Sequence, residues 1–175
     1  LSAAQGCVVL SHGMDSGPQA TKVSALAVAA AACGWRSVRM DYRDLDAHGL
    51  AAAVAPRIAR LRAAVPRDAR CVLVGSSFGA FVSGLVACDR AVAGVFLLAT
   101  PPLIPGYAQA FALPEGTPAC LVHGWRDEVC PVEAMFNVAR AYRAEMLLLD
   151  DDHRLGAHVD IIAAQFARFL ARIAA

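Results

Sequence analysis

The sequence predicts an α/β protein, a three-layer, doubly wound sandwich with a six-stranded parallel sheet and helices on both faces. Three observations carry this. Short, continuous apolar runs of strand length alternate with longer stretches of helical periodicity, the pattern of a parallel sheet buried on both faces. One run, Cys71-Val72-Leu73-Val74, leads into Gly75-Ser76-Ser77-Phe78-Gly79 and then an apolar helical segment from Ala80, so the chain turns sharply from strand to helix. With 175 residues, 58% of them hydrophobic, the chain is sized for one domain, 1–175. A domain of that length buries about 70% of its unfolded surface.

Each element has its own justification. Cys7 to Leu10 is a first strand, ending at Ser11-His12-Gly13. After Met14-Asp15-Ser16-Gly17, Pro18 can open a helix at its first position, where a missing N–H costs nothing, and Gly34 stops that helix after Cys33. Val38 to Tyr42 reads as a second, weaker strand. Leu50 to Val65 sets Val54, Ile58, Leu61 and Val65 at helical spacing, and Pro56 predicts a kink there or a helix starting near it. Arg70 to Gly75 feeds the serine turn, and Ala80 to Arg90 is its helix. Val92 to Ala99 is another buried strand, after which five prolines between Thr100 and Pro118 leave no room for a long helix. Ala119 to His123 is the next strand, Val132 to Tyr142 the next helix and Met146 to Leu149 the last strand. Ala157 to Ile173 closes the chain as a helix with Val159, Ile162, Phe166, Phe169 and Ile173 on one face.

Composition narrows the function. The formal net charge is +1, Lys22 is the only lysine, and the basic residues form no run, so neither nucleic acid nor an anionic membrane is an expected partner. Val23 to Cys33 is too short to span a bilayer. The six cysteines contain no C-x-x-C pair and mostly sit in apolar runs, which predicts reduced thiols in a cytoplasmic protein rather than disulfides or zinc. Cys130, beside Pro131, is expected at the surface. No leader peptide is read, although a chain beginning at Leu1 leaves a removed one open.

Gly75-Ser76-Ser77-Phe78-Gly79 fits the G-x-S-x-G turn, in which a nucleophilic serine is exposed on a strained bend. The glycines at −2 and +2 fix the register on Ser77, because Ser76 would put Val74 and Phe78 at the crowded positions. The competing reading is an inactive strand-to-helix turn. The partners decide between them. In such a sheet the functional groups lie at strand C-termini, and reading those ends gives Ser77, then Asp127 after His123-Gly124, then His153 after Asp150-Asp151-Asp152.

The order Ser…Asp…His resembles the α/β-hydrolase family over nearly the whole chain. The resemblance rests on Ser11-His12-Gly13-Met14, Gly75-Ser76-Ser77-Phe78-Gly79-Ala80, His123-Gly124-Trp125-Arg126-Asp127-Glu128 and Asp151-Asp152-His153-Arg154-Leu155. It implies a minimal, lidless form that lacks the first two strands of the usual eight, with the proline-rich segment in the lid's place. Ser77 is then the nucleophile, His153 the acid and base, and Asp127 the group that orients the imidazole. Glu128, Asp150, Asp151 and Asp152 are rivals to Asp127, the last three expected as a solvated turn. The oxyanion donors are the backbone N–H groups of Phe78 and Met14. His48 and His158 read as ordinary helix residues, while His12 and His123 shape loops.

The acyl pocket is expected from His12, Met14, Phe78, Leu103 and Ile104, with Trp125 or Phe111 added. No Arg or Lys is placed by sequence to bind a carboxylate. The expected activity is cleavage of a small uncharged ester or thioester through an acyl-enzyme, with no metal or other cofactor. An amidase or peptidase using the same triad is the nearest alternative, and a catalytically idle relative that binds a ligand or protein in the same cleft is a second. A dehalogenase or epoxide hydrolase would carry Asp where this chain has Ser77.

Overall fold

The computed structural model describes residues 4–67 and 70–175, so the start at Leu1 lies outside the described residues. Six parallel strands form one sheet in the order β2-β1-β3-β4-β5-β6. They are β1 (Cys7–Ser11), β2 (Arg36–Arg39), β3 (Cys71–Ser76), β4 (Gly94–Leu98), β5 (Ala119–Gly124) and β6 (Glu145–Leu149). The helices between them are α1 (Thr21–Ala32), α2 (Arg43–Asp46), α3 (Leu50–Ala64), α4 (Phe78–Asp89), α5 (Val132–Tyr142) and α6 (Val159–Ala174). The chain steps from β1 outward to β2, then crosses back to β3 on the other side of β1. That reversal opens a crevice above the C-terminal ends of β1 and β3, where ligands bind in sheets of this type.

Two cores follow from the pleat. Cys7, Val9, Cys71, Leu73, Val95 and Leu97 face α3, α4 and α5, while Val8, Leu10, Val72, Val74, Phe96 and Leu98 face α1 and α6. Phe96 packs between Phe166 and Phe169 of α6, at centroid distances of 4.9 and 5.7 Å. Burying a side chain of this size contributes about 2–3 kcal/mol. Helix α4 is buried over ten of its twelve residues. The sheet covers one side of it, and α3 and the proline-rich segment cover the rest. Phe111 and Tyr107 of that segment pack on Phe81, and Gly84 leaves room for the Phe111 ring and the Ala112 carbonyl. Among the described residues no helix is long and apolar enough to cross a membrane.

The boundaries differ from expectation where no apolar signal marks them. β2 runs from Arg36 to Arg39, not from Val38 to Tyr42, because its pairing starts at Cys7 opposite Arg36. All four of its residues are exposed, so hydrophobicity does not mark this edge. Pro18 lies within a turn closed by the Ala20 N–H on the Gly17 carbonyl, and α1 begins only at Thr21. α3 begins at Leu50 and runs on through Pro56. The four-residue α2 was not expected.

Candidate active site

The serine turn is built by crowding. Ser77 has φ 53° and ψ −118°, a backbone conformation that costs about 1–3 kcal/mol for a residue with a side chain. A Cβ on Gly75 would sit 2.5 Å from the Ala80 Cα across the bend. One on Gly79 would sit 2.6 Å from the His12 carbonyl oxygen and closer still to that of Ser11. The two glycines therefore serve different contacts: Gly75 closes the bend itself, and Gly79 lets α4 press onto the end of β1.

The turn brings Ser77 to His153. The Ser77 hydroxyl donates to His153 Nε2 at 2.9 Å. On the other side of the ring, the Nδ1–H donates to Asp127, at 2.8 Å from Oδ2 and 3.0 Å from Oδ1. A carboxylate only accepts, so this contact sets the tautomer and leaves Nε2 free to take the serine proton. Asp127 is fully buried at its side chain and held on every side. Its Oδ1 accepts the N–H groups of Val129 and Cys130 at 3.0 and 2.7 Å. Its Oδ2 lies 3.1 Å from His123 Nε2, whose N–H also points to the Cys130 carbonyl at 2.6 Å. His123 thus shapes the loop, as expected, and steadies the carboxylate as well.

Gly124 is what lets the two loops meet. A Cβ there would lie 2.7 Å from the Asp152 carbonyl oxygen, in the path of the backbone that carries His153. That backbone is not the solvated turn expected from three aspartates. Asp150 and Asp152 are exposed, but Asp151 is buried. Its carboxylate accepts from His158 Nδ1 at 2.8 Å and from the Ala157 and Asp152 N–H groups. Burial alone would raise its pKa, and these hydrogen bonds outweigh that and lower it. His158 is accordingly a strut of the loop, not a bystander on a helix.

The expected oxyanion donors, the Phe78 and Met14 N–H groups, lie at the ends of β3 and β1. Gly13 lies against Ser77, with its Cβ position 3.6 Å from Ser77 Cβ. Among the described residues neither the Phe78 nor the Met14 N–H donates to a backbone carbonyl. The His12 ring is buried and engaged at both nitrogens. The Tyr42 N–H donates to Nε2 at 3.0 Å, so Nδ1 carries the proton and donates to the Gly13 carbonyl at 2.7 Å. Burial lowers its pKa, which favours this neutral form. Sequence reasoning reads Arg57 as one of the polar positions of the Leu50 to Val65 helix and does not place it in the site. It is fully buried and donates to the His12 carbonyl at 2.8 Å, to the Gly13 carbonyl at 3.2 Å and to both oxygens of Asp46.

A cleft of about 1130 Å³ opens over Ser77 and His153. Met14, Phe78, Leu103 and Ile104 line it, together with His12, Leu50 and Val129. Trp125 lies outside it, 55% exposed with its ring against Phe136, and Phe111 is buried against α4. Lys22 and Arg154 also reach the cleft, two cationic groups that sequence did not place there. The Lys22 ammonium donates to the Arg154 carbonyl. Burial lowers its pKa, partly offset by Asp151 and Asp152.

Cys130 is buried, contrary to expectation, because its loop is folded in around Asp127. Its sulfur, an Asp127 oxygen and a His153 nitrogen lie within 4.8 Å of one another, close enough to ligate one ion. They fit a metal poorly. Burial pushes the thiol up to about 12, and the other two atoms are engaged with each other. Metal binding needs the thiolate.

No family model matches the sequence. No curated protein matches it either. Solved structures do. A protein from Xanthomonas campestris pv. campestris, assigned to the α/β hydrolase superfamily, is 36% identical over 95% of this chain and 99% of its own, with a TM-score of 0.90. Est1E from Butyrivibrio proteoclasticus matches at 15% identity and a TM-score of 0.78, covering 98% of this chain and 89% of its own. An esterase from Pyrococcus furiosus matches at 14% identity and a TM-score of 0.78, covering 97% and 82%. The last two show likeness of fold; the first shows descent. The chain belongs to the α/β hydrolase superfamily.

Proposed function

We propose that the protein hydrolyses a small, uncharged ester or thioester of a short acyl chain through an acyl-enzyme on Ser77. The observation that carries this is the continuous line of hydrogen bonds from Ser77 through His153 to Asp127. Ser77 Oγ attacks the acyl carbon while its proton passes to His153 Nε2. The carbonyl oxygen becomes an oxyanion facing the Phe78 and Met14 N–H groups. Collapse breaks the bond to the alcohol or thiol, which leaves with the proton from His153. Water then attacks the acyl carbon, giving up a proton to the same nitrogen, and the carboxylic acid departs as Ser77 recovers its hydrogen. Asp127 keeps the ring in place and stabilises the imidazolium at each protonated stage. The apolar lining from Met14, Leu103 and Ile104 supports a short acyl chain.

A fluorophosphonate probe tests the reading directly. Labelling of the intact protein that disappears in Ser77→Ala is the expected result, with ester hydrolysis falling roughly a millionfold. A screen from acetate esters upward then ranks chain length. Well-folded protein that takes no label would overturn the proposal and favour a binding protein using the same cleft.

A further inference from the structure

Arg57 is an expensive residue for a fold to bury. Its side chain is 0% exposed and that of its partner Asp46 only 10%. A buried ion pair of this kind seldom stabilises a fold more than apolar residues of the same volume would. Its placement points to another use. The guanidinium forks onto Asp46, Nε to Oδ1 at 2.7 Å and Nη2 to Oδ2 at 2.5 Å, which fixes its plane. Nη1 also donates to the His12 carbonyl and Nη2 to that of Gly13, and the guanidinium faces lie 4.3 Å from the Phe78 ring centroid and 4.4 Å from that of Tyr42.

The geometry of a trans peptide turns these contacts into an orientation. The described chain has no cis peptide. In a trans peptide the C=O and N–H point in opposite directions. The Gly13 carbonyl belongs to the same peptide unit as the Met14 N–H, so two donors on that carbonyl, Arg57 and the His12 Nδ1–H, aim the Met14 N–H away from the guanidinium. The loop lies against Ser77 on the Gly13 Cβ side. The same guanidinium braces the ring of Phe78, the residue that carries the other donor. A cation on the carbonyl end of an amide also polarises it and strengthens its N–H as a donor.

We propose that Arg57, fixed by Asp46, is the positioning residue of the oxyanion hole: it orients the Met14 amide through its carbonyl and braces Phe78 through its face. This rests on the reading of Met14 and Phe78 as oxyanion donors. Arg57 never touches substrate.

The test compares wild type with Arg57→Lys and with the double variant Arg57→Met/Asp46→Leu, which removes the charge pair while refilling its volume. Each is measured for Tm, for kcat and KM on p-nitrophenyl acetate, and for the affinity of a trifluoromethyl ketone that mimics the tetrahedral intermediate. Deleting an oxyanion donor lowers kcat about 10²–10³-fold, so misaiming one should lower it roughly 10–100-fold. The expected pattern is that loss in kcat, a matching loss in ketone affinity, an unchanged KM, and a double variant that regains Tm but not kcat. A double variant that regains both would overturn the proposal, because Arg57 would then be structural only. If the double variant does not fold, Arg57→Lys decides: folded protein with undiminished kcat and ketone affinity sinks the idea. Wild type without Ser77-dependent labelling would instead sink the hydrolase reading on which it rests.

Discussion

The two halves of the cleft are held by different means. On the side of β5 and β6, Asp127 is gripped by neighbours in sequence: the N–H groups of Val129 and Cys130, and His123 four residues earlier. On the side of β1 and β3, the His12-Gly13 loop is gripped from far away. Arg57 reaches carbonyls 45 and 44 residues back in the chain, and its own partner Asp46 lies on a different helix. The first half is a local motif that any chain carrying it can form. The second exists only once α3 has docked on the sheet. Local hydrogen bonds leave a spacing that can be read; long-range ones leave only an arginine among other arginines.

After loss of Ser77 itself, the largest expected effect breaks the local half. Asp127→Asn keeps the volume but presents an amide N–H or a weaker acceptor to His153 Nδ1, favouring the wrong tautomer. A loss of about ten-thousand-fold in kcat is expected, with KM little changed, measured by steady-state hydrolysis of p-nitrophenyl acetate. Activity within tenfold of wild type would remove Asp127 from its role.

The next breaks a contact inside the β1 and β3 half, where α4 presses on the end of β1. Gly79→Ala drives a methyl into the Ser11 and His12 carbonyls, a backbone clash that no rotamer can relieve. Urea unfolding should show a loss of about 1–3 kcal/mol or more. An unchanged midpoint would mean that α4 can slide on β1.

A pH scan sharpens the comparison. The folded pKa of His12 is lowered, chiefly by burial, from an ordinary value of 6.5. The unfolded chain therefore takes up this proton first as pH falls. The stabilisation from the neutral ring is fully present above about pH 6.5 and declines as pH falls from there to the folded pKa. Wild type should lose more Tm than His12→Gln between pH 7.5 and 5, because the variant lacks this proton uptake. Parallel curves would show that His12 titrates alike in both states.

Trp125→Ala is the smallest. The indole lies outside the cleft, so activity on short esters should stay at the wild-type level and stability within about 0.5 kcal/mol. A marked rise in KM would put the ring back in the substrate site.

Much of this architecture is legible before any coordinates. The four apolar runs of β1, β3, β4 and β5 are strands because central parallel strands bury both faces, and that leaves little choice of residue. Ser77, Asp127 and His153 could be read from strand-end motifs, and the fold brings the three side chains together. What escaped was set by tertiary contact. β2 is delimited by pairing, not by hydrophobicity. Asp151 looks like one of three surface acids until His158 and two N–H groups close on it. Trp125 is apolar and near the motif, yet its ring packs on Phe136.

The sole lysine has a practical consequence. Lys22 lines the cleft, and burial lowers the pKa of its amine. An amine-reactive fluorophore will attach at this one side chain, apart from the terminal amine. The dye would stand beside the loop that carries His153, giving an optical reporter of ligand entry without introducing a cysteine or removing one of the six already present.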